Sequence, residues 1–78
     1  MEYMKLKDLM PGDKIKFVEQ FSVIFPESWK NVVFEVIDEA IQFGDWLYNV
    51  GFKSKFGISS YTLHEDWNKY IEIIEMAE

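Results

Sequence analysis

His64 is the chain's one histidine, and Glu65 and Asp66 follow it directly. A carboxylate beside an imidazole could orient the ring for general-base work. Ser59 and Ser60 lie just upstream, but no Gly-x-Ser-x-Gly elbow frames either of them. Two carboxylate pairs, Asp38-Glu39 and Glu65-Asp66, have the residue types of a glycosidase pair or a hard-cation site. Neither has the twelve-residue calcium-loop pattern, and adjacent residues on a strand point to opposite faces. Cysteine is absent, which excludes thiolate zinc, iron–sulfur chemistry, a Cys nucleophile and a disulfide framework together. The four glycines are isolated and form no phosphate-cradling loop. These residues predict a protein that is not an enzyme and that holds no metal and no cofactor.

Charge is the more informative chemistry. The formal net charge is −6, all eight basic residues are lysine, and arginine is missing. Between Glu27 and Asp45, five acids (Glu27, Glu35, Asp38, Glu39, Asp45) face only Lys30. Between Glu65 and Glu78, five more (Glu65, Asp66, Glu72, Glu75, Glu78) face only Lys69. Lys53 and Lys55 stand alone between these two acidic stretches, and the segment from Met1 to Glu19 is balanced, with Glu2 among its acids. Nucleic-acid binders neutralise phosphates with Lys and Arg, and Arg supplies most bidentate recognition. A net-acidic chain without Arg is therefore not expected to bind DNA or RNA directly. The same field would attract a basic protein surface, including one that normally holds nucleic acid.

The elements that must position these groups read mainly as strands. Pro11-Gly12-Asp13 is a turn signal, and Lys14 to Glu19 alternates with Ile15 and Phe17 on one face. The apolar run continues from Phe21 to Phe25 and ends at Pro26. Val32 to Ile41 is rich in β-branched residues and, across a Gly44-Asp45 turn, forms a hairpin with Trp46 to Phe52. In the latter, Trp46, Tyr48, Val50 and Phe52 share a face expected to be core. Ile58 to Leu63 is another β-rich run. Two stretches carry a competing helical stripe, about 28–43 and 63–77. For the second, the other reading is a tight turn at Glu65–Asn68 and a strand at Lys69–Glu75. The expected fold class is thus mainly β, a small SH3-like barrel or strongly bent antiparallel sheet with room for a C-terminal helix. The alternative is α+β with helices in those two stretches.

Seventy-eight residues make one small domain, and an aromatic fraction of 18% supplies its core. No apolar run reaches the roughly 20 residues of a membrane span, and no signal-peptide pattern is present. The composition predicts a cytoplasmic module without a membrane partner.

The phrase Leu9-Met10-Pro11-Gly12-Asp13-Lys14-Ile15-Lys16-Phe17 resembles the first strand of SH3-like small barrels. The order of the later runs, from the Val32–Ile41 strand to a final strand at Tyr70–Ile74, looks like the remaining strands of that fold. The resemblance spans about Leu9 to Glu75. In composition the chain is similar to small, Lys-rich, Arg-poor acidic proteins of phages and mobile elements. Some of these disable host nucleic-acid-handling proteins by imitating DNA charge, and a phage-encoded protein of this kind would act in the host cytoplasm.

The function expected from these observations is an acidic module that binds a basic host protein and blocks its nucleic-acid traffic. Its expected contact residues are Glu35, Asp38, Glu39 and Asp45, then Glu65, Asp66 and Glu72, with Trp29 and Trp67 as aromatic anchors. A second expectation is a nucleotide-like ligand on the Trp46, Tyr48 and Phe52 row, met by Lys53 and Lys55. A third is a structural subunit of a larger assembly. An outward strip of Val33, Ile37 and Leu47 predicts a homodimer.

Overall fold

Alternation decides the first strand. Ile15 and Phe17 of β1 (Lys14–Phe17) are buried while Lys14 and Lys16 reach solvent, because a pleated strand sends successive side chains to opposite faces. The computed structural model of the chain describes residues 5–77, so Glu2 and Glu78 of the charge tally lie outside the described residues. Five strands follow β1, namely β2 (Phe34–Val36), β3 (Ile41–Phe43), β4 (Leu47–Ser54), β5 (Gly57–His64) and β6 (Ile71–Glu75). Every ladder between them is antiparallel. β1 lies between β2 and β6; β4 carries β2 and β3 along one edge and β5 along the other.

The protein is mainly β, as the residue pattern predicts. A single sheet with extents of 27 × 27 × 25 Å must curl around its own core, and this one is strongly bent. It is not closed into a barrel, since among the described residues no ladder joins β6 to β3 or β5. The core is the concave face: Ile15, Phe17, Phe34, Val36, Val50, Phe52, Leu63 and Ile71, joined by Leu6 and Leu9 from the leader.

Neither helical stripe becomes a helix. In the first, 3-10 structure covers only Glu27–Trp29, Asn31 turns the backbone at φ 62°, and β2 begins at Phe34. Val33, Val36 and Ile37 are stiff at χ1, so ladder bonds and burial outweigh the helical spacing. In the second, a 3-10 turn covers Glu65–Tyr70 and β6 takes the rest. The turn-then-strand reading of the C-terminal stretch is the one that forms. The Phe21–Phe25 run is also not a strand. It is a compact loop in which the Gln20 carbonyl accepts the N–H groups of Val23, Ile24 and Phe25 at 3.3, 2.9 and 3.1 Å.

The conformation of that loop is costly. Glu19, Gln20 and Ser22 sit at φ 66°, 58° and 71°, in the left-handed region that disfavours any residue with a Cβ. Gln20→Gly is expected to stabilise the fold by about 0.5–1 kcal/mol, a rise of a few degrees in Tm. A thermal melt of the variant against wild type checks it, and an unchanged or lower Tm contradicts it.

The Pro11-Gly12-Asp13 turn joins the two ends of the chain. Gly12 has φ 100°, and Ala77 Cβ lies 3.1 Å from where a Cβ on Gly12 would stand. Only glycine combines that dihedral with that approach. Asp13 is buried, and its carboxylate accepts the N–H of Met10 at 2.9 Å and that of Ala77 at 2.7 Å.

Candidate protein-binding surface

The hairpin register places the charges. Glu35 pairs with Lys14 on β1 and with Lys53 on β4. Glu72 pairs with Lys16, and Glu75 reaches Lys14 Nζ at 3.0 Å. The hydrogen bond that Lys14 donates to Glu75 and the Glu75 charge hold the Lys14 ammonium above its ordinary pKa against desolvation, with a lesser push from the Glu35 charge. Acids and lysines therefore alternate on this part of the convex face. Glu35 and Glu72, both expected at a partner contact, sit here among cations.

The other acids lie where lysines are absent from the register. Between β2 and β3 the chain leaves the ladder at residues 37–40, and the Asp38 carboxylate folds over Gly51, with Oδ2 2.9 Å from the position a Cβ there would take. Gly51 is what allows this approach. Asp38 and Glu39 are exposed and, with Pro11, Ile41, Asn49 and Ser60, line an open groove of about 440 Å³.

Asp45 comes next to Glu65. The Glu65 N–H donates to the Trp46 carbonyl at 2.7 Å, and Leu47 pairs with His64. The β3–β4 turn and the start of the Glu65–Tyr70 turn thus meet at one end of the sheet. This brings Asp45, from the first acidic stretch, beside Glu65 and Asp66 from the second. His64 Nδ1 accepts the Asp66 N–H at 3.1 Å and so caps that turn. That ring nitrogen is thereby engaged in holding the turn.

The aromatic residue at this end is Trp46, which is 59% exposed; Phe43 (45%) and Ile41 (64%) belong to the same hairpin. Trp46 was expected in the core. It continues the Tyr48, Val50, Phe52 row, but it stands one residue beyond the strand and overhangs the packed interior. The two tryptophans expected as anchors are placed differently. Trp29 is half-buried, with ring centroids 4.8–5.2 Å from Tyr61, Phe17 and Phe34. Trp67 is half-buried edge-on to Phe25 at 5.5 Å, next to the exposed Asp66.

Two other expectations change. Tyr48 and Phe52 are buried at 5% and 1% exposure, so no aromatic cleft opens on that row for a nucleotide-like ligand. The outward strip of Val33, Ile37 and Leu47 does not assemble either. Leu47 pairs with Phe43, whereas Ile37 continues the β2–β4 register, its N–H bonding the Gly51 carbonyl at 2.9 Å, and so stands four residues farther along β4. No cluster of three or more His, Cys, Asp or Glu able to hold a metal occurs among the described residues, and no helix among them is long and apolar enough to cross a membrane. No protein-family model, curated protein or solved structure matches this chain.

Proposed function

We propose that this protein is a non-enzymatic binding module that engages the basic surface of a nucleic-acid-handling host protein and competes there with nucleic acid. The observation that carries this reading is the exposed Trp46, next to Asp45 in the chain and bonded through its carbonyl to the Glu65 N–H, where the two acidic stretches converge. An exposed aromatic ring with carboxylates around it is the composition of an interface: the ring anchors and the charges steer. Asp38 and Glu39 extend the acidic field along the convex face. A net charge of −6 speeds encounter with a positive patch and weakens its hold as salt rises.

The test is affinity capture from a bacterial lysate on immobilised protein. A basic, nucleic-acid-binding protein should be retained at low salt, then released by high salt or by duplex DNA. Trp46→Ala should weaken that complex by about 2 kcal/mol or more, roughly 30-fold. The combined variant Asp45→Asn, Glu65→Gln and Asp66→Asn should slow association and flatten the salt dependence. Retention of no such protein, or equal retention by these variants, overturns the reading.

A further inference from the structure

We propose that β5 pairs edge to edge, antiparallel, with β5 of a second copy of this chain. β5 runs eight residues in unbroken register with β4 and, among the described residues, has no strand on its other side. The Glu65 N–H to Trp46 carbonyl bond marks that pair as a hydrogen-bonded one. Alternation along the ladder then turns the N–H and C=O groups of Ile58, Ser60 and Thr62 away from β4, and all three residues are exposed.

Soluble proteins guard such an edge with charge, proline, a bulge or brevity. β6 carries Glu72 and Glu75, and β3 has three residues. From Gly57 to Leu63, β5 has no charged residue, no proline and no break in register.

Charge selects the occupant and its direction. Lys53 and Lys55 precede the strand, and Glu65 and Asp66 follow it. Antiparallel pairing about Ser60 sets Ile58 opposite Thr62 of the second copy and brings Lys55 beside Glu65 of that copy, twice by symmetry. Parallel pairing would set lysine against lysine. The contact supplies about six backbone hydrogen bonds and joins the two sheets into one. It shares Glu65 with the surface proposed above, and Asp45 separates the two: Asp45→Asn should alter capture of a basic protein and leave self-association unchanged.

Sedimentation equilibrium of the full chain from about 10 μM to about 1 mM should show a reversible monomer–dimer equilibrium. Ser60→Pro removes an outward N–H that the monomer does not use, and Ser60→Lys opposes two like charges at the two-fold axis. Each should raise the dimer Kd at least tenfold while thermal unfolding stays cooperative. Lys55→Glu should weaken the dimer, and adding Glu65→Lys should restore it. The amides of Ile58, Ser60 and Thr62 should exchange rapidly in dilute protein and slow as concentration rises. A 9.3 kDa species at every concentration, a dimer indifferent to Ser60→Lys, or slow exchange of those amides in the monomer would each overturn the proposal.

Discussion

Phe17→Ala is expected to cost about 3–5 kcal/mol and to leave much of the protein unfolded at 37 °C. Phe17 is 2% exposed, and its ring lies 4.7 Å from Phe25, 5.0 Å from Trp29, 5.2 Å from Phe34 and 6.2 Å from Phe52. It is the point where β1 meets the 18–31 loop, β2 and β4. A chain of 78 residues has a total stability of roughly 4–12 kcal/mol, so one such cavity removes about a quarter of it or more. Phe25 and Trp29 come from a loop whose backbone hydrogen bonds run mostly within the loop itself, so their seat against the sheet depends on the ring that would be removed. Phe17→Leu keeps most of the volume and should cost about 1–2 kcal/mol. Urea titration followed by tryptophan fluorescence measures both. A loss below 1 kcal/mol for the alanine variant would mean that the loop collapses onto β2 without Phe17.

Asp13→Ala should cost about 2–4 kcal/mol through a different mechanism. The buried carboxylate satisfies the amides of Met10 and Ala77, residues at opposite ends of the chain. Hydrogen bonds to a charged acceptor contribute about 1.5–3 kcal/mol each, and removing the carboxylate leaves two partly buried donors without a partner. Asp13→Asn offers one oxygen in place of two and turns an N–H toward an N–H, so it should recover little. Amide exchange separates this effect from a general loss of stability. The Met10 and Ala77 amides should lose protection far more than those of β4. Uniform loss across the sheet would show that the turn is held by its backbone bonds alone.

Alternation and turn chemistry made most of the sheet legible. Lys14–Glu19 and Trp46–Phe52 read as strands because their apolar residues recur at every second position, and strands form there over Lys14–Phe17 and Leu47–Ser54; the turn before β1 carried its own Pro-Gly-Asp signature. The stretches 28–43 and 63–77 stayed ambiguous because their apolar residues satisfy both periods. Long-range ladders resolved them, β2 against β1 and β4 and β6 against β1, and no local window contains those partners. A face pattern gives the side of a sheet, not where the core ends, so Trp46, which shares the core face of its strand, stands exposed one residue beyond β4.

What the sequence determined by itself is the class of chemistry: acidic, without cysteine or arginine, patterned with alternating apolar residues, and aromatic enough to build a core from 78 residues. Those properties are sums and spacings, and they hold however the chain is folded. Which acids act together was decided only by the tertiary structure. Glu35 and Glu72 face lysines through strand register, whereas Asp45 and Glu65, twenty residues apart, come side by side because β4 and β5 form a hairpin whose open end joins their flanking turns. Electrostatic potential depends on distance through space, and it was the pairing of strands that set those distances.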